Sequence, residues 1–194
     1  MPKRSLKFIK GFYYHIYNRG ANKQRIFLET DNYYHFLKLL KRYVLNFEIR
    51  VIAYCLMPNH FHFLLRNDGD KDISGFMSTM LNAYVKAFNK KYNRTGSLFS
   101  HRFKSIHVDR DNYLVHLCRY IHLNSLKAHL VTELKDWPFS NYLEFVGKRN
   151  GKFIDKDFIK SLFADALADA LEYENFVEDI AIEYPENFGN YIFD

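Results

Sequence analysis

The sequence predicts an α+β protein with a ferredoxin-like or RRM-like sandwich, built in the order βαββαβ and completed by one more helix. Runs rich in β-branched and aromatic residues alternate with two long stretches of helical periodicity, which is the pattern of such a fold. Apolar residues make up 48% of the 194 residues, as in a globular protein rather than a disordered one.

The first half of the chain is expected to supply three strands and one helix. The aromatic and β-branched run 12–19 predicts the first strand. Apolar residues recur at helical spacing over 31–47, with basic residues on the other side, and predict the first helix. The apolar run 49–56 is followed by a Pro-Asn turn signal and a second strand within 57–66, so these two strands are expected to form a hairpin.

The second half continues the alternation. Helical periodicity over 73–92 predicts a second long helix, 105–109 predicts a short fourth strand, and 113–127 predicts a third helix. In a sandwich of this kind two helices cover one face of the sheet and leave the other face open. We therefore expect the third helix to lie across the open face.

Charge is divided unevenly along the chain. The formal net charge is +6, from 28 Lys and Arg against 22 Asp and Glu. Basic residues dominate 1–150, which is expected to form one domain. This charge predicts binding to a polyanion such as nucleic acid, although a solvated lysine-rich surface explains it equally well. The sequence predicts that 151–194 is an acidic extension with helices within 155–182. We expect this extension to cover the basic face or to regulate access to it. Its acidic residues are Asp155, Asp157, Asp165, Asp169, Glu172, Glu174, Glu178, Asp179, Glu183, Glu186 and Asp194.

Cysteine content and hydropathy indicate the compartment. Cys55 and Cys118 both lie in apolar runs, which argues against a disulfide framework or a thiolate zinc site and predicts two buried, reduced thiols. No apolar stretch reaches the roughly 18 residues that a membrane span needs, and the first residues lack the apolar core of a signal peptide. We therefore expect a cytoplasmic protein with no membrane partner.

A His-Phe-His triplet lies in the second strand of the predicted hairpin. Because side chains alternate along a strand, His60 and His62 point to one face while Phe61 and Phe63 point to the other. The phenylalanines are expected to face the core, which leaves the imidazoles on the open face. Two neutral imidazoles plus one oxygen donor make a metal site with open positions, although a lone His-X-His is common by chance.

Polar residues recur every four positions along the predicted third helix. This spacing places His116, Tyr120 and Asn124 along one side, away from the apolar stripe. Asn124 can supply the oxygen donor, and Tyr120 would then lie beside the metal, where its phenolate can attack a metal-bound phosphate. A tyrosine in a helix is nevertheless more often a packing residue, and His116 is not assigned as a ligand.

Four short motifs occur together between residues 12 and 146. They are 57–62 (Met-Pro-Asn-His-Phe-His), 96–103 (Gly-Ser-Leu-Phe-Ser-His-Arg-Phe), 119–124 (Arg-Tyr-Ile-His-Leu-Asn) and 137–142 (Trp-Pro-Phe-Ser-Asn-Tyr). In this combination they resemble the single-tyrosine HUH transposases, and the REP-associated branch in particular.

The resemblance implies an endonuclease and strand transferase that acts on single-stranded or hairpin DNA with Mg²⁺ or Mn²⁺ and forms a 5′-phosphotyrosine intermediate. It implies that His60 and His62 bind the metal, that Tyr120 is the nucleophile and that Asn124 is the third ligand. Ser125 departs from the family, which usually has Pro there, so the pose of Asn124 is less fixed than its identity. Relatives act as monomers or as homodimers that exchange their tyrosine helices, and both states stay open for this chain.

Basic residues near the 96–104 loop and the first strand are the DNA-binding candidates. In the loop they are interleaved with Phe99 and Phe103, a mix that suits phosphate contact and base stacking, although the two rings equally suit anchoring of the loop to the core. The candidates are Arg94, His101, Arg102, Lys104 and Arg19, the last within a wider basic set of Lys3, Arg4, Lys7, Lys10, Lys23 and Arg25.

The sequence leaves two alternatives to the transferase. A non-catalytic nucleic-acid-binding protein on the same fold would bind strands equally with and without metal. A metal-dependent hydrolase is disfavoured because Phe63 and Leu64 stand where β-lactamase-type sites need Asp-His, and because a barrel amidohydrolase needs roughly 250 residues.

Overall fold

A computed structural model describes residues 7–109, 111–151, 170–179, 183–184 and 186–191 of the chain. The strands are β1 (Tyr13–Arg19), β2 (Ile49–Met57), β3 (His60–Asn67) and β4 (Lys104–Val108). The α-helices are α1 (Thr30–Phe47), α2 (Ile73–Lys91), α3 (Asp111–Lys127), α4 (Tyr142–Phe145) and α5 (Ala170–Glu178). Short 3₁₀ helices span Ala21–Lys23, Leu134–Asp136 and Phe188–Tyr191. The order β1-α1-β2-β3-α2-β4-α3 confirms the predicted sandwich.

The four strands form one antiparallel sheet in the order β2-β3-β1-β4. The β2–β3 hairpin, joined by the Pro-Asn turn, is confirmed. Element ends differ from the prediction by one or a few residues; β4, for example, spans 104–108 rather than 105–109. Such shifts are expected because hydrophobic pattern locates an element better than its termini.

Helices α1 and α2 cover one face of the sheet. Glu29 and Asn32 form a capping box at the start of α1, and the Asp72 side chain accepts a hydrogen bond from Gly75 N at the start of α2. The ring of Phe36 on α1 packs between the two layers, with ring centroids 5.6 Å from Phe61 on β3. Phe36 and Phe61 are both fully buried, and each such side chain contributes about 2–3 kcal/mol of hydrophobic stabilisation.

The opposite face of the sheet carries the imidazoles. Residues directly opposite each other in adjacent strands point to the same face, and His62 lies opposite Tyr17 on β1 and Cys55 on β2. Helix α3 packs across this face, as predicted. Cys55 and Cys118 are fully buried free thiols, as predicted.

A buried polar network anchors α3 to β2. The pairing of β2 with β3 slips between Val51 and Ala53, and the side chain of Asn141 fills this irregularity. Asn141 Nδ2 donates to Ile52 O (2.8 Å), and Asn141 Oδ1 accepts from Tyr54 N (2.6 Å). The same Oδ1 lies 3.0 Å from His122 Nε2 on α3. Because an amide oxygen only accepts, His122 carries its proton on Nε2 and ties the tyrosine helix to the sheet.

The C-terminal part of the chain packs on the other side of α3. The buried residues Tyr173 and Val177 come from α5, and the Tyr173 hydroxyl lies 2.8 Å from His122 Nδ1. Helix α5 confirms part of the predicted helical extension, whereas 152–169 and 180–182 lie outside the described residues. Among the helices that are described, none is long and apolar enough to cross a membrane.

Candidate metal and tyrosine site

The two histidines of β3 form one wall of the site. Their imidazole centroids are 5.2 Å apart with the ring planes at 88°. His60 Nδ1 lies 2.6 Å from Asn59 Oδ1, an atom that only accepts, so Nδ1 carries the proton. The lone pair of His60 therefore lies on Nε2, the nitrogen suited to bind a metal.

A third imidazole, that of His15, contacts His62 and was not among the predicted site residues. His15 Nε2 on β1 lies 3.0 Å from His62 Nδ1, and both residues are buried. Alternation along β1 places His15 on the same face as Tyr17, and this signal was present in the sequence. The pairing of β1 with β3, which brings the two imidazoles together, is established only by the fold.

The electrostatic environment keeps the imidazoles of His60 and His62 neutral. Burial, with a smaller contribution from the positive charge of Arg19, lowers the pKa of His60 to about 4. Burial also lowers the pKa of His62 well below its ordinary value, with smaller effects from His15 and His60. Both histidines are therefore neutral at pH 7, which is the form that ligates a metal.

Tyr120 forms the opposite wall. Its ring meets His62 edge to face at 5.7 Å between centroids, and it meets His15 in the same manner at 6.1 Å. The structure thus brings the predicted nucleophile together with the predicted metal-binding strand.

Asn124 lies one helical turn beyond Tyr120. Its Nδ2 donates to Tyr120 O at 2.9 Å, which fixes the amide along the helix and makes Oδ1 the atom suited to a metal. In the described part of the chain, no group of three or more His, Cys, Asp or Glu could hold a metal ion. A metal at His60 and His62 therefore needs another oxygen donor, and an amide or phosphate oxygen fits that need.

C-terminal residues cover the outer side of Tyr120. The Phe188 ring lies 6.4 Å from the Tyr120 ring and stacks on Tyr184 at 4.5 Å. Lys127 Nζ lies over both tyrosines, 5.6 Å from the Tyr120 ring and 5.4 Å from the Tyr184 ring. Tyr120 is only 4% exposed as a result of this cover and its packing on the sheet.

The basic candidates divide between two places. Arg19 lies opposite His60, and Lys104 lies opposite Tyr17, so both belong to the face that carries the imidazoles. Their position suits contact with a phosphate backbone that reaches Tyr120.

The other candidates lie away from that face. His101 and Arg102 line a cavity of about 600 Å³ between their loop and α2. Arg94 donates to Gln24 Oε1 at 3.1 Å. The neighbouring rings of Phe99 and Phe103 are buried, which favours anchoring of the loop over base stacking. Lys3 and Arg4 of the wider basic set lie outside the described residues.

Similarity to known proteins covers the whole sheet, α1, α2 and most of α3. The family model for IS200-like transposases matches residues 8–124. A protein of Haemophilus influenzae named as a REP-associated tyrosine transposase is 27% identical over 124 residues, which cover 58% of this chain and 70% of that protein. A solved REP-associated tyrosine transposase bound to a REP hairpin shares the fold with a TM-score of 0.62 at 21% identity, over 80% of this chain and 94% of that chain. The resemblance predicted from the four motifs is confirmed, and the chain belongs to the IS200-like transposase family, whose members are enzymes that act on DNA.

Proposed function

We propose that this protein is a metal-dependent endonuclease and strand transferase for single-stranded DNA that uses Tyr120 as its nucleophile and forms a 5′-phosphotyrosine intermediate. The contact between the Tyr120 ring and the His62 imidazole, at 5.7 Å between centroids, is the observation that supports this most. A phenol beside two neutral imidazoles is a suitable arrangement for attack on a phosphodiester.

The residues present can hold a divalent ion, and the family resemblance favours Mg²⁺ or Mn²⁺ as that ion. His60 and His62 would bind the ion through Nε2, and Asn124 Oδ1 would be the third ligand, a mixed nitrogen and oxygen set with positions left for substrate. When bound, the ion polarises a non-bridging oxygen of the phosphodiester and stabilises the charge that develops on it. The pair of neutral histidines leaves the charge of the ion largely uncompensated, which favours an anionic substrate.

Tyr120 performs the covalent step in this proposal. Its hydroxyl gives its proton to solvent water, the phenolate oxygen bonds to phosphorus, and the bond from phosphorus to the 3′-oxygen breaks. The departing 3′-oxygen takes up a proton and becomes a free 3′-OH. Because a phosphodiester is exchanged for a phosphotyrosine ester, the reverse reaction can rejoin strands without ATP.

Basic residues would guide the DNA strand to Tyr120. Arg19 and Lys104 share the face of the imidazoles and suit the phosphates nearest the attacked bond. Arg94, His101 and Arg102 would contact DNA further away. The structural relative bound to a REP hairpin supports a hairpin beside the cleavage site as the substrate.

We also propose that 1–150 forms the transposase domain and that 151–194 is an extension that limits access to Tyr120. Support for the second part comes from the contact of the Phe188 ring with the Tyr120 ring, at 6.4 Å between centroids. An acidic segment next to a site for an anionic substrate would further oppose binding.

A covalent-adduct assay tests the proposal. The full chain is incubated with a pool of end-labelled single-stranded hairpin oligonucleotides and Mn²⁺, then separated under denaturing conditions. We expect a labelled adduct that disappears with EDTA and in His62→Ala, and that persists in His129→Ala, a change at an exposed histidine. Tight DNA binding with no adduct across a broad pool would instead support the non-catalytic binding protein.

A further inference from the structure

His15 is a buried polar residue to which the proposed reaction assigns no role. It lies in the middle of β1, directly opposite Leu64 on β3 and Ile106 on β4, where a sheet of this kind would accept an apolar side chain. Its side chain is fully buried, and its Nε2 lies 3.0 Å from His62 Nδ1. Burial of a polar ring is costly unless its hydrogen bonds are made, so this contact needs an explanation.

The hydrogen bond between the two imidazoles has two arrangements. If His15 donates, His62 accepts at Nδ1 and must carry its own proton on Nε2, which prevents that nitrogen from binding a metal. If His62 donates from Nδ1, its lone pair lies on Nε2 and His15 carries its proton on Nδ1. Only the second arrangement leaves His62 in the form that the proposed function requires.

The other metal-binding histidine shows the same pattern. His60 donates from Nδ1 to an acceptor oxygen of Asn59, which leaves its lone pair on Nε2. Ligating histidines commonly donate their second N–H to an acceptor that fixes the ring orientation and the tautomer. A neutral imidazole as that acceptor adds no negative charge, so the charge of the ion remains available to a phosphate.

We infer that His15 is a positioning residue that accepts the Nδ1–H of His62 and so holds His62 Nε2 ready for a divalent metal ion. This inference rests on the proposed function. His15 is not itself a ligand, because it contacts the Nδ1 edge of the His62 ring while the metal would bind at Nε2, on the opposite side. Its role is to set the tautomer and the angle of a ring that touches the ion.

Metal affinity in the absence of DNA tests this inference. Free Mn²⁺ is measured by electron paramagnetic resonance during titration of the full chain. His15→Leu removes the acceptor and should weaken Mn²⁺ binding by roughly 10-fold to 100-fold, the usual cost of losing such a partner. His15→Gln, which offers an amide oxygen, should restore most of the affinity. Circular dichroism and thermal unfolding in EDTA establish that the variants are folded.

A second measurement needs no variant. Long-range ¹H–¹⁵N correlation spectra of the metal-free wild-type protein report which nitrogen of His62 carries the proton, and we expect Nδ1. Equal Mn²⁺ affinity in folded His15→Leu, or a proton on Nε2 of His62, would overturn the role of His15. If the wild-type protein shows no Mn²⁺ binding that His62→Ala removes, the proposed function itself fails.

Discussion

The ring of Tyr120 on α3 meets the imidazole of His62 on β3 edge to face, with the ring planes at 88°. The two residues are far apart in sequence. They meet because Phe61 points to one face of the sheet, His60 and His62 point to the other, and α3 crosses that second face. The site therefore depends on how firmly α3 is held against the sheet.

The first prediction concerns Asn141. Asn141→Ala removes the partners of Tyr54 N, Ile52 O and His122 Nε2 at once. Since each buried group left unsatisfied costs about 1–3 kcal/mol, we expect the free energy of unfolding in urea to fall by about 3 kcal/mol or more. Asn82→Ala, at an exposed position of α2, should change it by less than about 0.5 kcal/mol. A loss below about 1 kcal/mol at Asn141 would mean that the network does not hold α3.

The second prediction concerns pH. Burial lowers the pKa of His122 to about 4 from its ordinary value of 6.5. Between these values the unfolded chain binds a proton that the folded chain does not, so stability from His122 is complete above pH 6.5 and is lost as pH falls. This residue alone should give a slope of up to about 1.4 kcal/mol per pH unit.

Urea unfolding at several values between pH 7 and pH 4.5 checks this prediction. His122→Gln keeps a donor for Asn141 but does not titrate, so its free energy of unfolding should depend less steeply on pH than that of the wild type. Asn82→Ala, at an exposed position of α2 with no titrating group, should keep the wild-type slope. Identical slopes in His122→Gln and the wild type would show that His122 takes up a proton without cost.

The third prediction concerns access to Tyr120. Phe188→Ala removes the ring that lies 6.4 Å from the Tyr120 ring. An aromatic contact of this kind is worth about 0.5–1.5 kcal/mol, so the initial rate of adduct formation should rise roughly twofold to tenfold. Leu171→Ala, an exposed position on α5, serves as the matched control. An unchanged rate in folded Phe188→Ala would remove the regulatory role proposed for 151–194.

The fourth prediction concerns DNA affinity. Lys104→Ala and Arg19→Ala should each weaken single-strand binding irrespective of sequence and reduce the slope of log affinity against log salt by roughly one. Lys38→Ala removes an exposed charge from α1, on the other side of the sheet, and should leave both quantities nearly unchanged. Fluorescence anisotropy with labelled oligonucleotides at several salt concentrations measures the effect. If all three variants keep the slope of the wild-type protein, DNA does not bind at the face that carries Arg19 and Lys104.

Local patterns were sufficient to predict the elements and the faces on which the candidate site residues lie. Alternation along β3 correctly separated His60 and His62 from Phe61, because the period of a strand is independent of what it pairs with. Helical spacing likewise grouped Tyr120 with Asn124. Each of these predictions needs only the geometry of a single element.

The remaining features depend on contacts between distant parts of the chain. His15 meets His62 only through the register of β1 against β3, which alternation within one strand does not determine. Asn141 fits an irregularity in β2 that no local pattern reveals. The burial of Tyr120 beneath Phe188 was also missed, because helical spacing places a side chain on a helix face but does not show what covers that face.

A comparison of two tyrosines tests the central claim most directly. The Tyr17 ring lies 6.0 Å from His62, nearly as close as Tyr120, but it stacks flat on the imidazole from within the sheet. Each residue is changed to Phe, and the covalent adduct with labelled single-stranded hairpin DNA and Mn²⁺ is measured together with DNA affinity. We predict that Tyr120→Phe abolishes the adduct while retaining DNA binding, and that Tyr17→Phe still forms it. An adduct that persists in Tyr120→Phe would contradict the assignment of Tyr120 as the nucleophile.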